Sequence, residues 1–194
     1  MEIEVWRTPP GSIHVAPGFA AIVPSDQLEA RLRGVLRLGG WAIAALDHGA
    51  LVGYASIVPP SPIVWPAGSP DGGELVARRW DALPGVLELG ALEVARPFRA
   101  SGLGTLIAST VANDERLDRV VLFGIGVTHH WDLGWSALPP YVHRLALEAT
   151  LRHAGMAVRR STDPEVLLHP ANALFARFGA HVAPEVRGAF EAAS

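Results

Sequence analysis

Two features of this chain have the residue types and spacing for chemistry. The first is Arg99-Ala100-Ser101-Gly102-Leu103-Gly104, between a strand-like apolar run (Leu87 to Val94) and a helix-like apolar run (Leu103 to Val111). Strand, glycine turn and helix in that order put a helix N-terminus at the turn. The first amides of a helix have no partner inside it and point outward with the positive end of the dipole. Gly102 and Gly104 lack side chains, so a diphosphate can approach the main chain closely, and Arg99 can add a charge-assisted bond from the rim. The pattern lacks the Gly-Lys-Ser/Thr ending of a nucleoside triphosphate loop and departs from the Gly-x-Gly-x-x-Gly of dinucleotide binders. It reads as a cradle for another phosphorylated cofactor. A plain strand-to-helix turn has the same composition and stays open as the alternative.

The second feature is a pair of glutamates, Glu88 and Glu93, on the strand-like run that feeds this turn. Glutamate is seldom buried without a partner or a role. Plain strand alternation puts Glu88, Gly90, Leu92 and Val94 on one face, and a bulge would break that alternation. The eight histidines raise a metal site as a rival, built from His129, His130, Asp132, His143 and His169. No His-x-x-x-His or His-Glu-x-x-His spacing occurs, and on a strand His129 and His130 would point to opposite faces, so no metal is expected.

The elements that must position these residues are legible in outline. Ile3 to Arg7 reads as a first strand. A helix starts at Ser25 or Asp26 as cap, presents Leu28, Leu32, Val35 and Leu36 on one face, and stops at Gly39-Gly40. Trp41 to Leu46 and Leu51 to Ile57 form a hairpin around Asp47-His48-Gly49-Ala50. Residues 59–73, rich in Pro, Gly and Ser, read as an irregular loop, either a lid or a passive excursion. The helix after the glycine turn runs to about Arg116, and Val120 to Val127 is a buried strand. Tyr141 to His153 is an amphipathic helix offering Val142, Leu145, Ala149 and His153, or Leu138, Leu145 and Leu151, to the core. Met156 to Arg160 reads as a strand, and His169 to Phe178 as a short helix opened by Pro170.

Composition narrows the class. At 194 residues, with 49% apolar and 18% charged residues, residues 1–194 are expected to form a single folded domain. A net charge of -3 predicts no nucleic-acid or membrane partner. With no cysteine there is no disulfide, thiol nucleophile or thiolate metal site. Met1-Glu2-Ile3-Glu4 is acidic, unlike a signal peptide, and a cytoplasmic location is expected. Every basic side chain other than histidine is arginine. Codon bias is the plain explanation and protection from self-acetylation the functional one; with either, any acylated lysine in an assay belongs to another protein.

With the strand before it and Val94 five residues before the arginine, Arg-x-x-Gly-x-Gly resembles the acyl-coenzyme A loop of the GNAT superfamily of N-acetyltransferases. A proline common at the place of Arg96 is displaced here to Pro97. The second half is similar to the acetoin-utilisation acetyltransferase family over residues 86–182. The likeness is carried by Glu88 to Val94, His130-Trp131-Asp132-Leu133, Tyr141, His169-Pro170-Ala171-Asn172 and Arg177-Phe178-Gly179. The resemblance implies an α/β fold, with a mixed, mostly antiparallel sheet whose parallel fourth and fifth strands splay apart between flanking helices. It implies acetyl-CoA as cosubstrate, held by Leu92, Val94, Arg99, Ala100, Ser101, Gly102, Leu103, Gly104 and Thr105. In that scheme the Leu92 N–H faces the oxyanion and Val94 grips the pantetheine.

The same resemblance implies acetylation of a lysine on an acetyl-CoA synthetase. A lysine amine sits near pKa 10.4 in water, so a base or desolvation must supply its neutral form. Glu88, six residues before Val94, holds the place of the family's base, and Glu93 is the second candidate. His130, Trp131 and Asp132 suggest an acceptor-side wall, in which the carboxylate guides an ammonium and the indole flanks its stem. Alternatively, Trp131 is a core anchor and Asp132 a turn or cap residue. The chain departs from the family at the tyrosine acid, since Leu151 and Phe175 hold the two places it could take, and at the asparagine after the fifth strand. A small-molecule amine acetyltransferase and a non-catalytic acetyl-CoA sensor stay open, as does a homodimer.

Overall fold

The computed structural model describes residues 1–19, 22, 24–60, 63–64, 75–76, 80 and 83–194. In chain order the strands are β1 (Glu2–Trp6), β2 (His14–Val15), β3 (Trp41–Asp47), β4 (Ala50–Val58), β5 (Ile63–Val64), β6 (Leu75–Val76), β7 (Val86–Val94), β8 (Val121–Gly126), β9 (Ala157–Arg159) and β10 (Ala173–Phe178). The helices are α1 (Ser25–Arg37), α2 (Leu103–Ala112), α3 (Leu133–Ser136), α4 (Pro140–Arg152), α5 (Pro164–Leu167) and α6 (Pro184–Ala193). The main sheet runs β1-β3-β4-β7-β8-β10-β9, with β2 against β4. β1, β3, β4 and β7 pair antiparallel, and β7 lies parallel to β8. This is the mixed architecture expected. Most of 59–73 falls outside the described residues, so the irregular-loop reading does too; from its described part, β5 pairs with β6.

The sheet is covered on both faces because its strands alternate two apolar sets. Ala42, Ala44, Tyr54 and Ala91 meet Leu28, Leu32 and Leu36 of α1. Ile43, Ala55, Ile57, Leu89 and Val94 meet Leu103, Ile107 and Val111 of α2. Full burial of each such aliphatic side chain stabilises the fold by about 1.5–3 kcal/mol. A third cluster stacks Trp80, Phe123 and Phe190, with Trp80–Phe123 ring centroids 4.7 Å apart.

Four expectations are corrected. The segment 169–178 is no helix: its Ala173–Phe178 stretch is β10, inserted antiparallel between β8 and β9. A short run whose first four residues are apolar and buried shows no clear periodicity, so strand and helix read alike in sequence. Leu138, just before α4, and Val142, Leu145, Ala149 and His153 are exposed while Leu151 is buried, because this helix leans on α2 with only one narrow stripe. Ser25 does not cap α1 through its side chain; its hydroxyl accepts the Phe19 N–H at 3.2 Å instead. Finally, α2 stops at Ala112, and Asp114 opens a separate 3-10 turn by accepting the Arg116 N–H at 3.1 Å.

Arg177-Phe178-Gly179 has a structural basis. The Gly179 N–H donates to Val120 O at 3.0 Å, and a Cβ there would collide with the carbonyls of Leu117 and Asp118. Backbone cannot retreat as a side-chain tip can. Gly179→Ala is therefore expected to cost about 2–4 kcal/mol, read as a lowered thermal midpoint.

Candidate active site

The site grows from one irregularity in β7. In the β4–β7 ladder Ser56 pairs with Ala91 and Ile57 with Leu89, so Gly90 has no partner and forms a bulge. Directly opposed residues share a face. Tyr54 lies opposite Glu93 and Val58 opposite Glu88, which puts both glutamates on the α1 face. Leu89, Leu92 and Val94 belong to the α2 face. The expected grouping of Glu88 with Leu92 and Val94 is thereby corrected: the extra residue inverts the parity between them.

A gap opens beside the bulge. β7 and β8 pair only at Val86–Val121, Leu87–Leu122 and Glu88–Phe123, while β7 runs on to Val94 and β8 to Gly126. Glu88 thus stands at the last paired step. Beyond it, the Ala95 N–H donates to Val52 O of β4 at 2.9 Å. Alternation then turns the N–H and C=O groups of Leu92 and Val94 away from β4 and into the gap. The Val94 carbonyl accepts Arg99 Nε at 2.8 Å from that side. A cavity of about 430 Å³ follows the gap, with Leu92, Glu93, Gly104, Ala146, Leu147, Thr150 and Leu151 in its wall.

At one end of this cavity lies the glycine turn. Ala100 and Gly102 take left-handed φ values of 60° and 83° and turn the chain into α2. The first helical bond at that end runs from the Leu106 N–H to Gly102 O at 3.0 Å, leaving the amides of Leu103, Gly104 and Thr105 ahead of it. Ser101 faces away, its hydroxyl donating to Phe98 O at 2.6 Å. A Cβ on Gly104 would touch the Thr150 methyl at 3.6 Å, so helices α2 and α4 flank the turn closely.

Arg99 does not stand ready for an anion. Its Nη1 donates to Asp132 Oδ2 at 2.8 Å, and its guanidinium lies 4.7 Å over the Trp135 ring. Arg96 completes the cluster, with Nε and Nη2 donating to the same carboxylate at 2.7 and 2.9 Å. Asp132 precedes α3 as its cap residue but makes no side-chain cap bond. Its charge is met by two arginines, which ties it to the loop before the glycine turn and leaves it poorly placed to guide an ammonium. The hydrogen bonds from Arg96, and then from Arg99, hold its carboxyl down at about 2. A carboxyl lowered on folding stabilises above its unfolded value near 3.9 and loses that contribution as pH falls through 2. Asp132→Asn is expected to destabilise the protein by about 2 kcal/mol at neutral pH. In thermal melts, the gap to the natural protein should narrow below pH 3.9 and close near 2.

The remaining candidates separate. Trp131 stacks on His143, with centroids 4.8 Å apart at 14°, and both line the cavity with His130. His129 and His130 sit on a 3-10 turn, so their rings meet at 4.3 Å rather than facing opposite ways. The His169 ring nitrogen accepts the Ala171 N–H at 3.0 Å, and Asn172 joins the Thr128 N–H to Glu165 O, so His169 to Asn172 braces a turn. Among the described residues no three His, Asp or Glu side chains converge as metal ligands. Glu93 is buried and accepts from the Tyr54 hydroxyl at 3.5 Å. Burial, reinforced by Glu93, pushes the Tyr54 phenol well above its ordinary value. Sequence reasoning missed Tyr54 as a partner of Glu93 and His143 as a cavity residue, since both pairings span distant segments.

No family model matches the chain. It is 28% identical over 164 residues to the acetoin utilization protein AcuA of Bacillus subtilis, an alignment covering 84% of this chain and 71% of that protein. With AcuA of Bacillus licheniformis it shares 28% over 148 residues, spanning 64% of that relative. The crystal structure of an acetoin utilization protein from Exiguobacterium sibiricum superposes with a TM-score of 0.82 at 30% identity, covering 93% of this chain and 81% of that one. A GNAT-family protein from Desulfovibrio desulfuricans shares the fold at 15% identity, with a TM-score of 0.53.

Proposed function

Because the chain belongs to the AcuA-like family of GNAT acetyltransferases, we propose that it transfers acetyl from acetyl-CoA to a protein lysine, on an acetyl-CoA synthetase-like target. The observation that carries the reading is the gap after the Glu88–Phe123 pair, which runs past the inward N–H groups of Leu92 and Val94 to the N-terminus of α2.

Those features fit the coenzyme in shape and polarity. The amides of Leu103, Gly104 and Thr105 bind diphosphate at the positive end of α2. The open edge of β7 receives the pantetheine as an added strand would be received, with Val94 against it. Acetyl-CoA supplies the activated thioester. The Leu92 N–H donates to the thioester oxygen as negative charge develops there. On the opposite face of the sheet, Glu88 takes the proton from the incoming ammonium, with Glu93 as the second candidate. The two faces divide the work: α2 and α4 hold the donor, and the α1 face receives the amine. Leu151 and Phe175 have no hydroxyl, so those places supply no proton to the leaving thiolate.

Among the described residues no helix is long and apolar enough to cross a membrane. The reading places the enzyme in the cytoplasm, where its donor and target are. Mass spectrometry of host proteins incubated with the enzyme and labelled acetyl-CoA tests it. Label on lysines of an acetyl-CoA synthetase is expected, and all of it is foreign because the chain has no lysine of its own. Label confined to free amines would replace the target. Coenzyme binding without transfer would make the protein a sensor.

A further inference from the structure

His143 stands in the cavity wall, and the reaction above leaves it unused. It lies in the first turn of α4, seven residues before Thr150. Thr150 flanks the α2 N-terminus, so His143 sits two helical turns, about 10 Å, further along. That run of α4 leads outward, since Tyr141 and Val142 are exposed while Leu151 reaches the core. The imidazole therefore lies toward the outer end of the cavity, beside Arg99 and Asp132 of the loops that flank the glycine turn. One ring face is fixed by the stack on Trp131. Nδ1 is sealed, with no hydrogen-bond partner among the described residues, so the ring meets the cavity through its other edge.

We propose that His143 takes up a proton as the diphosphate of acyl-CoA enters, and that the resulting imidazolium is a charge contact for the bound coenzyme. This rests on the coenzyme reading above. The proton comes from solvent, and no bond to the coenzyme forms or breaks. The charged groups that face the ring are Arg99 from the loop and Asp132 from the start of α3, the latter shared with Arg96. On α4 itself, Arg144 reaches away to Pro170 O at 3.5 Å, and His130 shares the wall. Burial, and then Arg99, push the imidazole below its ordinary value; Asp132 opposes this, with its charge already divided between two arginines. A diphosphate beside the loop reverses that balance. A group whose pKa rises on binding makes binding tighter as pH falls through its bound value, levelling off below its free value.

Calorimetry with CoA and with dephospho-CoA, in two buffers of different ionisation enthalpy, reads the proton directly on the unmodified protein. Net uptake near neutral pH is expected with both ligands; the second removes the 3′-phosphate, which titrates near pH 6 itself. Affinity should improve by about tenfold for each unit by which binding raises the imidazole pKa, over the fall from pH 8 to 6. His143→Gln, with its melting temperature kept, should lose both the uptake and the pH slope. No uptake with dephospho-CoA, or undiminished uptake in His143→Gln, overturns the inference while leaving coenzyme binding intact. A protein that bound no CoA at all would remove the coenzyme reading and this inference with it.

Discussion

Gly102→Asp is expected to weaken CoA binding by about 100-fold or more, roughly 3 kcal/mol. Two effects act at this position: backbone strain, which lowers stability with and without coenzyme alike, and charge, which opposes the ligand. Gly102 holds φ at 83°, where a side chain costs about 1–2 kcal/mol. A Cβ there meets nothing within 4 Å, so the fold has room for the new residue. Its carboxylate then stands beside the amides of Leu103, Gly104 and Thr105, where it repels an arriving diphosphate. At a spacing of 4 Å and an effective dielectric near 20, two such charges oppose each other by about 4 kcal/mol before salt screening. Gly102→Ala carries the same backbone strain without the charge and should cost only a few-fold in affinity. Equal binding by Gly102→Asp and the natural protein would show that the coenzyme does not use this turn.

Glu88→Gln should lower turnover by about 10²–10⁴-fold with CoA affinity unchanged. The residue sits at the last β7–β8 pair and on the face away from Leu92 and Val94, which in the proposed reaction is the amine side rather than the coenzyme side. Its effect should shrink as pH rises toward the lysine value near 10.4, where solvent already supplies neutral amine. A variant matching the natural enzyme at every pH would place the base elsewhere. Glu93→Gln, measured in parallel, decides between the two: loss there alone assigns the proton to the carboxylate paired with Tyr54.

Local signals were readable in the sequence where one segment suffices. The glycine turn between a strand and a helix, the hairpin at Asp47 to Ala50 and the apolar face of α1 each depend on neighbours within a few positions. The bulge at Gly90 left a trace, a glycine inside a strand, yet its consequence for Glu88 was invisible. Which face each glutamate occupies depends on pairing with Ser56, Ile57 and Val58, far upstream in the chain. The strand at Ala173–Phe178 is ambiguous in sequence for the same kind of reason: only its two neighbours, β8 and β9, distinguish it from a buried helix.

The roles of the charged residues were decided furthest from the sequence. Asp132 reads as a free carboxylate until Arg96 and Arg99 close on it from a loop more than thirty residues away. His143 reads as one surface histidine among eight until Trp131 and the cavity enclose it. Residue type and short-range order are sufficient to say that this chain builds a strand, a bare-amide turn and a helix, because backbone hydrogen bonding there is local. Where a side chain points, and whether its charge is already answered, depend on register and on contacts between distant segments, which come into being only when the sheet assembles.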